Sequence, residues 1–300
     1  MGRSMRILHL DNGREMRGGQ WQVLALMEGL RDRGVAQRLL ARPGSPLESA
    51  ARASGLEVAA FEWRRLWSWG RWATLVHAHD SASHSRAALL GLAPLVVARR
   101  VAFPIGQDFL TRRKYRRARL YLAVSRHVAS LLASAGIPEN RVRVVYDGVP
   151  LAERLSEGSA VVALSSADPG KRNDLLREAA EAGGFPVHFS HDLPTDLQQA
   201  GVFVYLSESE GLGSAALLAM SAGVPVVASR LPALAEIVED EYCGLLTDNT
   251  PTNVANAIQR LLRDPALAST MGRRGRTRVE ERFTFRHMVE HTLAAYEEIL

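Results

Sequence analysis

A short glycine loop between an apolar run and a helix is the part of the chain best suited to bind an anion. The apolar run 202–206 enters the loop. The loop and the first residue of the helix are Glu208, Glu210, Gly211, Leu212, Gly213 and Ser214. Glycines let the backbone come close to a phosphate, and the N–H groups at a helix amino terminus stabilise its charge. A plain strand-to-helix turn also uses glycine, so the loop alone leaves both interpretations open.

The same residues also fit a different kind of site. The run 211–216 (GLGSAA) is similar to a dinucleotide fingerprint, and Ser229 and Arg230 follow the next apolar run, where a phosphorylated ribose would lie. However, Glu208 and Glu210 come just before the glycines and would repel a pyrophosphate if they pointed inward. An NADP-dependent oxidoreductase is therefore kept as the weaker alternative.

Short apolar runs alternate with segments of helical periodicity along the whole chain. The runs predicted as strands are 5–10, 35–41, 56–61, 74–79, 95–98, 120–124, 143–146, 160–164, 187–189, 202–206 and 224–228. Alternation of this kind predicts parallel sheets covered by helices, an α/β fold. A final helix is predicted from Arg286 to Glu298, and its apolar stripe must pack on the rest of the protein.

The turn-rich segment 147–150 (DGVP) divides this pattern into two similar halves. We predict a first domain over 1–148, a second over 149–283, and a carboxyl-terminal helix over 284–300 that returns to the first domain. Ligands of such sheets bind beyond the carboxyl ends of the strands. The expected site therefore lies in a cleft that the two domains face.

Composition excludes several classes of function. The chain has 300 residues, 47% of them hydrophobic, a formal charge of +5 and one cysteine, Cys243. The charge favours an anionic partner, whereas the single cysteine excludes an intramolecular disulfide and a zinc site built on several thiolates. No motif typical of nucleic-acid binding is present, so no nucleic acid is expected. Because we find neither a signal sequence nor a membrane-spanning apolar run, we expect a cytoplasmic protein.

Taken in order, five segments resemble the family 4 glycosyltransferases of the GT-B fold. They are 17–20 (RGGQ), 76–80 (VHAHD), 121–125 (YLAVS), 136–138 (GIP) and 144–149 (VVYDGV). In the second half, 169–176 (PGKRNDLL) and the glycine loop are similar to the family's donor-binding segments. The resemblance covers nearly the whole chain. It implies two Rossmann-like domains and retaining transfer of a sugar from a nucleotide-diphosphate donor such as a UDP-sugar.

The resemblance also implies which residues bind the two substrates. Lys171 matches the donor-phosphate lysine and Glu210 the first signature glutamate, which contacts the transferred sugar; both are the expected catalytic residues. The expected donor-binding residues are Gly18, Gly19, Lys171, Arg172, Glu210, Gly211, Leu212, Gly213, Ser214 and Glu236. The expected acceptor-side residues are His79, Asp80, Arg99 and Arg100. The acceptor is expected to be a glycan or a lipid-linked molecule of cell-envelope polysaccharide or lipopolysaccharide synthesis.

Three positions depart from the family pattern. The second signature glutamate, which in the family holds the donor ribose, falls at Leu218. The arginine before the phosphate lysine falls at about Ser165, unless Arg172 or Arg230 replaces its charge. The family histidine after the strand 95–98 is replaced by Arg99 or Arg100. A catalytically impaired relative that binds a nucleotide or glycan is therefore the second hypothesis.

Neither a cofactor nor a metal ion is expected in the transfer reaction. Lys171 and the loop amides would stabilise the departing phosphate, so positioning and charge carry the reaction. His77 and His79 are expected to point to opposite faces of their strand and therefore not to ligate one ion.

Aromatic and basic residues are interleaved in one segment of the first half. Its residues are Phe61, Trp63, Arg64, Arg65, Trp67, Trp69, Arg71 and Trp72. Tryptophan and arginine together suit a peripheral contact with an anionic membrane, but they would equally suit a packed core. The basic run 112–117 (RRKYRR) is a solvated surface or a contact for a phosphorylated or lipid-linked acceptor. Both interpretations stay open, and association with the inner face of the membrane is an expectation.

Overall fold

The computed structural model describes residues 5–91 and 93–300, which form two compact units. The first unit runs up to Tyr146 and resumes at Phe285, and the second is Asp147–Thr284. Each unit is a parallel β-sheet with helices, as the alternating pattern predicts.

The first unit has a seven-stranded sheet in the order β3-β2-β1-β4-β5-β6-β7, with all neighbours parallel. Its strands are β1 Arg6–Asp11, β2 Ala36–Ala41, β3 Val58–Ala60, β4 Leu75–Ala78, β5 Leu95–Arg99, β6 Leu120–Ala123 and β7 Val142–Val144. The strand order reverses between β1 and β4. In open parallel sheets the carboxyl ends of two such strands form the crevice where ligands bind.

The second unit has a five-stranded parallel sheet in the order β12-β11-β10-β8-β9. Its strands are β8 Ala160–Leu164, β9 His188–Ser190, β10 Ala200–Tyr205, β11 Val226–Ser229 and β12 Gly244–Thr247. Here the order reverses between β8 and β10, which places the glycine loop after β10 at the corresponding crevice.

Thirteen α-helices connect the strands of the described chain. They are α1 Gly18–Arg31, α2 Pro46–Ala53, α3 Trp63–Trp72, α4 Ser81–Leu90, α5 Phe109–Arg117, α6 Arg126–Ser134, α7 Asn173–Gly183, α8 Leu193–Asp196, α9 Ser214–Ser221, α10 Pro232–Ala235, α11 Pro251–Arg263, α12 Pro265–Arg282 and α13 Phe285–Glu297. In the part of the chain that is described, no helix has the length and apolar character needed to cross a membrane.

Helices cover both faces of the first sheet. Leu75 packs in a core cluster with Leu26 of α1 and Tyr296 of α13. The next residue, Val76, lines a small cavity with Leu66 of α3 and with α4. Because successive strand residues face opposite sides, α1 and α13 cover one face while α3 and α4 cover the other. The carboxyl-terminal helix α13 is therefore part of the first unit.

In the second sheet, the apolar residues of β8 and β10 form a core with α7 and α11. Val161, Ala163, Val202 and Val204 all belong to this cluster. The alternate residue Tyr205 faces the other side, toward Gly213 at the start of α9. The last residue of β10 thereby lies directly beneath the glycine loop.

Candidate functional site

The glycine loop is held by a closed set of hydrogen bonds between three strand ends. The Ser207 N–H donates to Ser229 Oγ at 2.9 Å, and the Ser229 hydroxyl donates to Asn249 Oδ1 at 2.6 Å. The Asn249 amide then donates back to the Ser207 carbonyl at 3.0 Å. These bonds fix the entry to the loop. Sequence analysis did not select Asn249, because its partners lie 20 and 42 residues away along the chain.

Gly213 shapes the turn from the loop into α9. Its φ is +109°, and a Cβ there would lie 2.6 Å from Leu234 Cδ2, so only glycine fits without a rearrangement. Gly211 and Leu212 are buried on the way into this turn, and Ser214 begins the helix. No side chain caps the amino terminus of α9. The start of α9 therefore has no side-chain acceptor for its first amides, as a helix start that binds an anion requires.

Lys171 and Glu210, predicted as the catalytic pair, are in direct contact. The Lys171 ammonium donates to Glu210 Oε1 and, at 3.1 Å, to the Tyr205 hydroxyl. Both charged side chains are largely buried, with 26% and 10% exposure. Burial and the neighbouring Glu210 charge hold the pKa of Tyr205 well above its ordinary value, so the phenol stays protonated. Tyr205 was missed because a tyrosine at the end of a strand indicates packing as readily as a polar contact.

The lysine loop is docked on the glycine loop. Residues Pro169–Lys171 form a 3-10 turn, and the Gly170 carbonyl accepts hydrogen bonds from the Glu208 N–H at 2.9 Å and the Ser207 hydroxyl at 3.2 Å. Arg172 follows with a positive φ of 47°, and its guanidinium lies 3.6 Å from Glu208. Arg172 therefore brings a second positive charge to the same loops.

The other donor-side positions of the second unit lie as follows. Arg230 pairs with Asp240 at 2.8 Å and donates to the Leu246 carbonyl, which holds it at the β11–β12 edge. Glu236 is half-buried after α10, and its carbonyl accepts from Arg278. Leu218 is half-buried in α9 and carries no hydrogen-bond acceptor in its side chain. Of the two arginines considered as a replacement charge, Arg172 is the one on the lysine loop.

In the first unit, Gly18 and Gly19 form the start of α1, beside a buried carboxylate. Space around Gly18 is open within 4 Å, and a Cβ on Gly19 would lie 3.9 Å from Arg100 Cδ. Asp11, at the end of β1, accepts hydrogen bonds from the Gly13 N–H at 2.8 Å and from Gln20 Nε2 at 3.1 Å. Burial raises its pKa. Sequence analysis missed Asp11, although a carboxylate that ends a buried strand is a recognisable signal.

Two of the acceptor-side residues have clear structural partners. The Asp80 carboxylate caps α4 by accepting from the Ala82 N–H at 2.8 Å and the Ser83 N–H at 3.0 Å, and it also accepts from the Asn12 N–H. Arg99 donates to the Tyr115 hydroxyl at 3.1 Å and to the Phe103 carbonyl, which ties the segment after β5 to α5.

Three buried histidines lie together beneath the ends of β1 and β4. His9 and His77 are paired in the sheet register, and the rings of His77 and His79 have centroids 3.9 Å apart. The expectation that His77 and His79 face opposite sides was wrong, because residues two apart in a strand share a face. His79 Nε2 lies 3.0 Å from His9 Nδ1, and Arg100 lies 3.4 Å from His79 Nδ1. His77 Nδ1 meets the Tyr296 hydroxyl at 2.6 Å.

This histidine cluster has one nitrogen per ring within 4.8 Å of the others, a spacing that a transition metal could use. The ring planes of His9 and His79 differ by only 15°. His9 Nδ1 and His79 Nε2 face each other at hydrogen-bond distance. Arg100 donates toward the other side of His79, so the proton of that ring belongs on Nε2. Burial lowers the pKa of all three histidines, that of His9 to about 3, so they are neutral. His9 and His79 thus share a hydrogen bond and His77 pairs with Tyr296, which leaves His77 Nε2 without a hydrogen-bond partner among the described residues.

Comparison with known proteins identifies the family of the chain. The model described as "Glycosyltransferase Family 4" matches residues 16–153, and the model described as "Glycosyl transferases group 1" matches residues 175–278. The chain belongs to the family 4 glycosyltransferases. This membership gives no support to the dinucleotide interpretation of the glycine loop.

The similarity to curated relatives of the family covers only part of each chain. The chain is 34% identical over 112 residues to a putative glycosyltransferase, YtcC, of Bacillus subtilis, which is 36% of this chain and 28% of the relative. It is 30% identical over 207 residues to the alpha-maltose-1-phosphate synthase of Mycobacterium tuberculosis, which is 60% of this chain and 54% of the relative. The chain thus spans between about a quarter and about half of the length of these relatives.

Solved structures match over the full chain at low identity. Anabaena Alr3699/HepE in complex with UDP has a TM-score of 0.87 at 17% identity, covering 98% of this chain and 100% of that one. Sucrose-phosphate synthase from Thermosynechococcus elongatus has a TM-score of 0.76 at 19% identity, covering 98% and 99%. This family 4 glycosyltransferase therefore has the GT-B fold, with two Rossmann-like domains.

Proposed function

We propose that this family 4 glycosyltransferase moves a sugar, with retention of configuration, from a UDP-sugar or related nucleotide-diphosphate donor. The observation that carries the proposal is the contact of Lys171 with Glu210 beside the glycine loop and the uncapped start of α9. A diphosphate needs positive charge and N–H donors, whereas a sugar needs a hydroxyl acceptor. These groups meet at one end of the second sheet.

Each group has a distinct task in the proposed reaction. The Lys171 ammonium and the amides of α9 would stabilise charge on the leaving phosphate, and Glu210 would accept hydrogen bonds from sugar hydroxyls. When Glu210 turns to the sugar, Tyr205 still contacts the ammonium, so Lys171 keeps its position. The acceptor hydroxyl would attack C1 of the sugar on the face from which the diphosphate leaves. The bond from C1 to the phosphate oxygen breaks and the hydroxyl proton passes to that oxygen, so no strongly nucleophilic side chain is required.

We further propose that the transfer needs neither a cofactor nor an added divalent ion. Metal-dependent enzymes use an ion to neutralise the departing diphosphate. Lys171 and Arg172 pair with Glu210 and Glu208 in this structure. A diphosphate that displaces these carboxylates would gain two positive side chains, which supports transfer that Mg²⁺ or Mn²⁺ does not accelerate.

On the acceptor side, His79, Asp80 and Arg100 lie at the carboxyl ends of β4 and β5. Arg100 would turn to a phosphate on the acceptor and so leave His79 Nδ1, which, in the neutral ring, would then accept from a hydroxyl. A phosphorylated, lipid-linked glycan of cell-envelope synthesis fits these groups. The proposed location is the cytoplasm, at the inner face of the membrane.

A screen of nucleotide sugars tests the proposal. The purified chain is incubated with each donor and a lipid-phosphate glycan acceptor, with and without Mg²⁺, and product is followed by mass spectrometry and its anomeric configuration by NMR. We expect one UDP-sugar to give product with retained configuration at the same rate with or without Mg²⁺. An inverted product or strict dependence on Mg²⁺ would contradict this mechanism.

The second candidate is a relative that binds a nucleotide or glycan without turnover. Leu218 and Ser165 favour it, because a leucine cannot hold a ribose and a serine adds no charge to the lysine loop. Calorimetric titration with UDP and UDP-sugars separates the two: binding without product in the complete screen would support the second candidate.

A further inference from the structure

Exposed apolar side chains of the first unit are concentrated in one stretch of the chain. Among its described residues, the exposed large apolar side chains within 63–110 are Trp63, Trp67, Leu89, Val101, Phe103, Phe109 and Leu110. The others in this unit are Trp21 and Leu300. Scattered single exposures need no explanation, whereas a concentrated set marks an interaction surface.

The tryptophan-arginine segment forms helix α3, which has one buried and one exposed side. Leu66 and Gly70 face the sheet and are buried. Trp69 and Trp72 stack against Arg38, whose guanidinium lies 5.0 and 4.3 Å from the two ring centroids. Trp63 and Trp67, one helical turn apart, remain 52% and 51% exposed. Some residues of α3 therefore pack in the core, while two of its tryptophans are exposed to solvent.

Helix α5 exposes apolar residues in its first turn and basic residues behind them. Phe109 and Leu110 are 73% and 74% exposed, and Tyr115 is the one buried residue of the helix. The segment 101–117 contains five basic residues and a single acidic one, Asp108. The Asp108 carboxylate accepts from the Thr111 N–H at 2.9 Å, so it is engaged in capping the helix.

Helix α4 joins α3 and α5 into one layer. Arg86 of α4 lies 4.6 Å from the ring centroid of Phe61, just before α3. On the other side of α4, the Lys114 ammonium of α5 donates to the Ser81 carbonyl at 2.9 Å, and the rings of His84 and Tyr115 are 5.0 Å apart. The exposed residues thus belong to a single helical layer on one face of the first sheet.

The topology places most of these side chains beside the acceptor-side residues. Helix α3 begins after the carboxyl end of β3, and the segment leading to α5 begins after the carboxyl end of β5. All strands of this sheet are parallel, so both helix starts lie at the same edge as His79 and Arg100. We use "aromatic rim" for Trp63, Trp67, Phe103, Phe109 and Leu110.

We propose that the aromatic rim, with the arginines next to it, docks the first unit on an anionic lipid surface. Indole and phenyl rings bury favourably at headgroup depth, and each arginine near the surface adds attraction to lipid phosphate. The segment 62–72 has three arginines against Glu62, and 101–117 has five basic residues against Asp108, so the charge of the rim is complementary to anionic lipid. Docking presents the acceptor-side edge to the membrane, and only this last step rests on the proposed function.

Vesicle flotation of the full chain tests the proposal without donor or acceptor. Vesicles of phosphatidylcholine alone are compared with vesicles that also contain phosphatidylglycerol. We expect binding to the anionic vesicles, and a partition coefficient lowered about tenfold by Phe109→Ser combined with Leu110→Ser. The matched control is Tyr242→Ser, an exposed aromatic of the second unit, which should bind as the unchanged protein does.

A second pair of variants tests the charge. Arg112→Glu with Arg113→Glu should abolish the preference for anionic vesicles, whereas Arg263→Glu with Arg273→Glu makes the same change of net charge in the second unit and should not. Circular dichroism checks that each variant is folded.

Equal binding to neutral and anionic vesicles, or unchanged binding of the Phe109/Leu110 variant, would overturn the proposal. A dimer that the Phe109/Leu110 variant converts to a monomer would assign the rim to a second copy of the chain instead. Because no transfer is measured, an inactive protein that binds vesicles would count against the proposed function alone.

Discussion

At the residue scale, the proposed donor site contains opposite charges that the fold brings together. Lys171 and Glu210 are 39 residues apart in sequence and in direct contact in the structure. Both were predicted from the family resemblance of their loops, but their contact with each other and with Tyr205 was not. Local patterns identify the loops that carry functional groups, whereas long-range polar contacts such as those of Tyr205 and Asn249 leave no periodic signal.

Removing either partner of the pair should abolish most transfer. We expect Lys171→Ala and Glu210→Ala each to lower kcat by about 100-fold or more, because one removes charge from the leaving phosphate and the other removes a sugar contact. Steady-state rates with the donor identified by the screen give the measurement.

An exposed ion pair in the same unit provides the matched control. Arg260 and Glu241 are 2.6 Å apart with about half of each side chain exposed. Arg260→Ala and Glu241→Ala should leave kcat within about twofold, since an exposed pair contributes little. Losses as large as those at Lys171 would mean that any charge change in this unit impairs the enzyme.

At the scale of elements, the alternation of strands and helices was predictable because each buried strand is a short apolar run. Strand β12 was missed because it has only four residues and follows a polar stretch. Helix α12 was also missed, since its buried positions include Gly272 and Gly275, and glycine normally weakens a helix. A Cβ on Gly272 would lie 1.9 Å from the Gly223 carbonyl oxygen, so close tertiary packing explains the glycine.

The turn at Gly213 gives a test of an element boundary. Gly213→Ala should lower the free energy of unfolding of the second unit by about 2 kcal/mol and weaken UDP binding, because it combines a strained backbone with a steric clash. Urea unfolding and calorimetric titration measure the two effects.

The control is Gly184→Ala, where φ is +67° but no atom lies within 4 Å of the added Cβ. It should cost about 1 kcal/mol and leave UDP binding unchanged. Equal costs for both variants would show that the clash with Leu234 is relieved.

At the scale of the whole molecule, buried neutral histidines should set an acid limit to stability. Burial lowers the pKa of His9 and of His84 to about 3, from an ordinary value of 6.5. Between pH 6.5 and about pH 3 the unfolded chain binds protons that the folded chain does not. The free energy of unfolding therefore has its full value above pH 6.5 and falls as the pH drops toward 3. Each residue contributes a slope of up to about 1.4 kcal/mol per pH unit.

Unfolding by urea at a series of pH values down to about 5 measures this slope. His84→Gln removes one of the four buried histidines whose pKa is lowered and should make the dependence of stability on pH shallower. The same slope in this variant would mean that His84 is protonated in the folded chain, contrary to its burial against Tyr115 and Tyr121.

If Lys171 binds the donor as proposed, its contact with Glu210 makes donor binding an exchange of one counter-ion for another. A diphosphate that takes the ammonium displaces the carboxylate, and a displaced, largely buried carboxylate is costly unless it gains new hydrogen bonds. In the proposed reaction a sugar nucleotide supplies them through its hydroxyls, whereas sulfate carries no hydrogen-bond donor for Glu210. On this proposal the unliganded site would discriminate against small anions without a hydrogen-bond donor, such as sulfate, before any chemistry begins.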